Sequence, residues 1–483
     1  MIELNTLGAL KSSGYTSKSI QDEIKDNLKH RILNDLPVFE GIHGYEHSVL
    51  PDVERALLSG HNILFLGLRG QAKTRIARQF VSLLDEFIPI VRGSEINDDP
   101  FHPVSKYAVS LLNELGDNTP IEWVHRNNRY VEKLATPDVS VADLLGDLDP
   151  IKAATRKLEF SDELAIHFGL IPRSNRSVFV INELPDLQTR IQVALLNILE
   201  EKDVQIRGFK IKLPLNILFV FTANPEDYTQ RGNIITPLKD RIQSQILTHY
   251  PDSIAVGMKI TEQEAQIRPE LKQTIAVSPL LHQIIEQIAF VARNSELVDQ
   301  KSGVSARLTI SALELLYSAV EQRMLHAGEK NGVARLSDLI AIVPAMTGKM
   351  ELVYEGEQLG PYESALTIIN QAIQKIAASI LPKADSKKKN SSGLYQVTAD
   401  WFSQGNRISI DTRISDKEYM SSLLKCPMHE DLIKSFPKKD GLLYSELVLH
   451  LMAASNIIQK EWVDRRIQFK DPLSSMLNDL NIQ

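Results

Sequence analysis

The sequence predicts an α/β fold: a core whose parallel sheet is flanked by helices, then a helical lid domain and a mostly helical C-terminal segment. Three observations predict it. Apolar runs at 62–66, 177–181 and 216–222 alternate with helical stretches at 74–87, 105–115 and 184–201, as strands joined by crossover helices do. From about 252 to 382 the apolar spacing is helical only, as in Leu281, Ile284, Ile285, Ile288 and Val291, or Leu308, Leu313, Leu316 and Val320. The first apolar run, Ile63-Leu64-Phe65-Leu66, leads directly into a Gly-rich stretch that opens a helix.

Residues 1–40 are expected to be a helical lead-in, with Ile20, Ile24, Leu28, Ile32 and Leu36 on one stripe before Pro37. The α/β core then spans 41–250, starting near Gly41-Ile42-His43-Gly44, and the helical domain spans 251–382. The polar stretch 383–393, with three successive lysines at 387–389, is expected to be a linker. In the remaining segment, 394–483, Leu443, Leu447, Leu451 and Met452 share a face, and Tyr395, Trp401, Phe402 and Trp462 are expected to pack its core.

With 43% hydrophobic and 24% charged residues the 483-residue chain has ordinary globular composition, enough for two or three domains. The net charge of −7 argues against a general nucleic-acid surface. Cys426 is the only cysteine, so one chain can form neither a disulfide nor a cysteine metal cluster. The first residues do not read as a secretion signal, no run of about 18 apolar residues suggests a membrane span, and a cytoplasmic location is the expectation.

The loop Gly67, Leu68, Arg69, Gly70, Gln71, Ala72, Lys73 and Thr74 has the chemistry of a nucleoside-triphosphate cradle. Backbone N–H groups and a helix N-terminus face the phosphates, lysine adds a point charge, and threonine reaches Mg²⁺. Ala72 stands where a last glycine is usual; a negative φ and room for one methyl would suffice there. The run Ser177–Ile181 ends in Asn182-Glu183. Glu183 is the candidate to polarise an attacking water. Asn182 replaces the carboxylate that orients magnesium: an amide accepts a hydrogen bond but brings no charge. The run ending at Ala223 delivers Asn224, which suits a water or a terminal phosphate, although Asn-Pro also builds turns. Arg241, in Thr236-Pro237-Leu238-Lys239-Asp240-Arg241, and Arg307, opening a helix after Ser305-Ala306, could each fork onto a phosphate. Taken singly, each arginine reads more often as a solvated charge or a surface ion pair. His43 and His47 lack the glutamate of a zinc-protease helix, since Gly44 follows His43.

In this order, these stretches resemble the ring-forming AAA+ ATPases, in the branch of the magnesium-chelatase ATPase subunit and MoxR-like proteins. The resemblance runs from about residue 38 to about 355. It includes Asp143–Asp149, Gly169–Ser174, Gln192–Glu201 and Val204–Gly208, and an insertion near Gly93–Pro100 closer to the chelatase subunit. It implies ATP and Mg²⁺ as cofactors, with Lys73 on the β/γ-phosphates, Thr74 on the metal with Asn182 in the missing carboxylate's place, and Glu183 activating water. Asn224 would sense the terminal phosphate, Arg241 would reach a neighbouring subunit's ATP, and Arg307 would sense from the helical domain. The implied work is ATP-driven, chaperone-like remodelling of a protein partner by a homo-oligomeric ring, expected to be a hexamer. In this branch the partner often carries a von Willebrand factor A domain. Two alternatives stand beside it: the ATPase subunit of a chelatase inserting magnesium into a tetrapyrrole, and a nucleotide-binding scaffold impaired in hydrolysis. DNA remodelling fits the acidic balance least.

Overall fold

Ile63–Leu66 (β1), Tyr130–Leu134 (β2), Ser177–Asn182 (β3), Ile217–Ala223 (β4) and Ser244–Leu247 (β5) form one parallel sheet in the order β5-β1-β4-β3-β2. In the computed structural model, the described residues are 4–156, 162–201, 204–206, 209–211, 213–225, 232–384, 393–463 and 466–472. They fall into two units, Met1–Tyr250 and Pro251–Gln483.

Every residue of β3 and β4 is buried, which explains why these strands read as unbroken apolar runs. On one face of the sheet Phe179, Ile181, Phe219 and Phe221 pack with Ile191, Leu195 and Ile198 of Thr189–Glu200. On the other, Val178, Val180, Leu218 and Val220 pack with helices Ile20–Leu33, Val49–Leu58 and Lys73–Gln79. Two apolar layers around one sheet place all five strand C-termini along one edge.

The lead-in helix belongs to this core, but only part of its stripe is used. Ile20, Ile24 and Leu28 are buried, whereas Ile32, in the last turn, and Leu36, past the helix end at Leu33, are 43% and 46% exposed. A buried ion pair fixes it further: Arg129 donates through both terminal nitrogens to Glu23, at 2.7 and 2.6 Å, and through Nε to the Arg176 carbonyl at 2.9 Å.

The stretch read as a helix over 74–87 is shorter. Lys73–Gln79 (α1) tightens into a 3₁₀ turn, Phe80–Leu83, and the chain turns back as strand Phe87–Val91, antiparallel to Ile121–His125. The helix read at 184–201 is Thr189–Glu200 (α2), after a single 3₁₀ turn, Leu184–Asp186. The helix read at 105–115 is Lys106–Leu115, its N-terminus capped by Ser105, whose hydroxyl accepts from the Ala108 N–H.

In the second unit, helices Pro279–Arg293, Arg307–Ala327, Pro361–Ile380 and Gly441–Ala454 share one core. That core joins Ile369 and Ile373 to Phe402, Leu447 and Phe469, so the segment after 393 packs together with the helical domain. A polar cluster ties them again: Arg323 donates to Asp338 at 3.0 Å and to Asp416 at 2.6 Å, and Arg335 also donates to Asp416. The C-terminal segment contains a small antiparallel sheet that the helical reading missed, Ile408–Asp411, Arg466–Lys470 and Gln459–Val463. Tyr395 and Phe402 are buried in the core, and Trp401 and Trp462 lie against it. Residues 385–392, which contain the lysine run and most of the expected linker, lie outside the described residues. Among the described residues, no helix is long and apolar enough to cross a membrane.

Candidate nucleotide-binding site

Because the sheet is parallel, the ends of β1, β3 and β4 deliver the Gly67–Thr74 loop, Asn182-Glu183 and Asn224 to one edge. The loop is braced from outside. Thr248, just past β5, donates its hydroxyl to Gln71 Oε1 at 2.7 Å, and Tyr250 donates to the Arg69 carbonyl at 2.9 Å. The Tyr45 hydroxyl lies 3.0 Å from the Gln71 carbonyl and 2.7 Å from that of His249. Gly67 is required by this close packing, since a Cβ there would overlap Thr248 Oγ1 and Gln71 Oε1.

Lys73 and Asn224 are brought together: the Lys73 ammonium donates to Asn224 Oδ1 at 2.7 Å, to the Leu68 carbonyl at 2.9 Å and to the Gly67 carbonyl. Thr74 and Asn182 are also brought together, the Thr74 hydroxyl donating to Asn182 Oδ1 at 3.1 Å. Asn182 Oδ1 accepts a second hydroxyl, from Thr222, at 3.1 Å, and Thr222 Oγ1 in turn accepts the Glu183 backbone N–H at 3.1 Å. Glu183 follows the strand in a left-handed conformation, φ +58°, an expensive backbone for a non-glycine residue and one that concentrates at functional sites.

Ala72 corrects an expectation. Its φ is +55°, the left-handed region, so the turn demands the conformation that glycine supplies cheaply, rather than the negative φ that alanine would favour. Gly70, at φ +75°, and Ala72 together turn the chain so that α1 begins at Lys73.

Arg241 ends helix Thr236–Arg241 (α3) and is held by its own partners. Its Nε donates to Glu200 Oε2 of α2 at 2.6 Å and its Nη1 to the Pro237 carbonyl at 3.1 Å. Arg307 is the first residue of helix Arg307–Ala327 (α4) in the second unit and is exposed. Among the described residues, no three His, Cys, Asp or Glu side chains cluster as a metal cage.

Sequence reading missed a carboxylate. Glu132 of β2 accepts from Asn182 Nδ2 at 2.7 Å, from Arg78 Nε and Nη2 at 2.9 and 3.0 Å, and from the Tyr130 hydroxyl at 3.2 Å. Burial pushes the Glu132 carboxyl up, but the Arg78 guanidinium, the Tyr130 hydroxyl and the Asn182 amide outweigh it and hold the group below its ordinary value. Magnesium keeps most of its water and takes few protein ligands, so a threonine hydroxyl and an amide oxygen, with a carboxylate behind the amide, fit it.

A strand, a glycine-bearing loop, a lysine and threonine opening a helix, and polar residues at the ends of β3 and β4 give this unit the geometry of a phosphate-loop core. Residues 121–242 match the family model for the AAA domain of the dynein-related subfamily, which covers β2 through α3 and starts after the loop. A magnesium-chelatase subunit ChlI homologue of Methanocaldococcus jannaschii is 26% identical over 208 residues, 41% of this chain and 52% of that protein, so the match spans about half its length. Among solved structures, a chain of the BchI–BchD magnesium-chelatase complex is 20% identical with a TM-score of 0.33, over 66% of this chain and 98% of that one. Hsp104 with ATPγS and casein gives 14% and 0.38, over 66% and 51%. Over residues 121–242 the chain is thus similar to AAA domains, and a curated relative is a magnesium-chelatase subunit homologue.

Proposed function

We propose that this protein binds ATP with Mg²⁺ at the loop, hydrolyses it, and works as a cytoplasmic, homo-oligomeric ring that remodels a protein partner. The observation that carries the reading is the convergence on one sheet edge of Lys73 with Asn224 and of Thr74 with Asn182, beside a strained Glu183. Lys73 binds the β/γ-phosphates, and the loop N–H groups orient them. Asn224 holds the lysine and meets the terminal phosphate. Glu183 takes the proton of the attacking water. A bound Mg²⁺ neutralises phosphate charge and fixes phosphate geometry. Arg241 supplies the positive charge opposite the lysine, on a neighbouring subunit's nucleotide. The part given to Arg307, the hexameric count and a partner with a von Willebrand factor A domain rest on the family resemblance alone.

A second reading is a nucleotide-binding scaffold that turns over little. It is favoured by the neutral Asn182 and by the strain at Ala72. The chelatase alternative is favoured by the ChlI homologue and by no feature of the site that separates it from other members of the branch. Measuring ATP turnover per subunit across protein concentrations decides between enzyme and scaffold. Turnover that Glu183→Gln removes supports the proposal; none at any concentration, with saturating nucleotide bound, overturns it for the scaffold.

A further inference from the structure

The charge that Asn182 lacks is present one strand away. Glu132 pairs with Val180 across β2 and β3, so Asn182, two residues on, is its diagonal neighbour on the same face of the sheet. That geometry lets the Asn182 amide bridge two groups. Its Oδ1 accepts the hydroxyls of Thr74 and Thr222, and its Nδ2 donates to Glu132 Oε1. The amide's orientation is decided by its partners: a carboxylate only accepts, so reversing the amide would set oxygen against oxygen. The result is a continuous relay, hydroxyl to amide to carboxylate, leading from Thr74 to a negative charge.

We propose that Glu132 is the magnesium-positioning carboxylate of this site, acting through Asn182, so that the acidic function usually found at the end of β3 has moved to β2. This rests on the nucleotide-binding reading of the loop. Three observations carry it. Glu132 keeps 23% of its side chain exposed, whereas Asn182 is 8% exposed, so the carboxylate stays open to a hydrated cation while the amide forms the site's inner wall. Arg78, which forks onto Glu132, lies four residues after Thr74 on α1, so the carboxylate is turned towards the threonine's side of the helix. Arg78 itself is 64% exposed, and its Nη2 shares Glu132 Oε1 with the Asn182 amide, so it competes with that amide for the carboxylate.

The rival account makes Glu132 a staple between β2 and α1 with no part in metal binding. The two separate on the Mg²⁺ dependence of nucleotide binding, read with ADP so that no turnover is needed. Full-length protein is titrated with MgCl₂ at fixed ADP, following the thermal shift, and ADP affinity in EDTA is measured in parallel. Glu132→Gln keeps the side chain's shape and should raise the Mg²⁺ midpoint about 10–100-fold, the usual cost of losing such an outer partner, with ADP affinity in EDTA unchanged. Asn182→Asp combined with Glu132→Gln returns a carboxylate to the end of β3 and should restore most of the midpoint. Arg78→Gln frees Glu132 from its competitor and should lower the midpoint, the opposite direction, which a staple would not do.

An unchanged Mg²⁺ midpoint in Glu132→Gln overturns the proposal. If Glu132→Gln does not fold, Arg78→Gln decides: a midpoint that stays put or rises overturns it, and one that falls supports it. A wild-type protein showing no ADP-dependent shift at all contradicts the nucleotide-site reading instead. The two failures are therefore distinguishable.

Discussion

Replacing Ala72 by glycine tests the phosphate loop's backbone through the sign of one number. Ala72 sits at φ +55° and ψ +14°, and an L-residue with a Cβ in that region costs about 1–2 kcal/mol. Glycine removes that cost but loses more freedom on folding, which takes back about 0.5–1 kcal/mol. The net expectation is a stabilisation of about 0.5–1 kcal/mol, or about 1–4 °C in melting temperature for a unit of this size. If φ were negative instead, only the entropy loss would remain, and glycine would destabilise by a similar amount. Differential scanning calorimetry of the wild type and of Ala72→Gly reads the sign directly, and Ala72→Val, branched at Cβ, should move the same transition down. A lower melting temperature for Ala72→Gly would refute the left-handed turn and with it the account of how α1 starts at Lys73.

Three further outcomes follow from named contacts. Glu183→Gln should leave ATP binding intact while cutting turnover about 10²-fold or more; equal losses of binding and turnover would show Glu183 to be structural. Glu23→Ala leaves Arg129 buried without its carboxylate and should cost about 3–5 kcal/mol in chemical denaturation, whereas a loss under about 1 kcal/mol would detach the lead-in helix from the core. Mixing Arg241→Ala with Lys73→Ala subunits, each inactive alone, should recover turnover through interfaces that pair an intact loop with an intact arginine. No recovery from mixed assemblies would leave Arg241 as the partner of Glu200 and nothing more.

How much was legible in the sequence followed from burial. β1, β3 and β4 lie inside the sheet and are apolar without interruption, so their runs stood out, and the site residues at their ends came with them. β2 reads Tyr-Val-Glu-Lys-Leu and β5 reads Ser-Gln-Ile-Leu; both are edge strands with polar residues, and neither run announces itself. Glu132 was lost with β2, because its role depends on a diagonal contact with a residue 50 positions later. A signal did exist: an Asn where a carboxylate is expected asks for a nearby acid. The conformation of Ala72 was hidden because the wrong residue type, by propensity, occupies the turn. The C-terminal sheet was missed because its short strands alternate within a segment dominated by the Leu443–Met452 stripe.

The central claim is that the loop holds a nucleotide through Lys73, and ligand-induced thermal stabilisation tests it most directly. ATP with Mg²⁺ at about 100 times its dissociation constant should stabilise the wild type by about 2.7 kcal/mol, a rise of about 5–10 °C. Lys73→Ala should fold as the wild type does and show no ATP-dependent rise at the same concentration. An equal rise in Lys73→Ala and wild type would contradict the account.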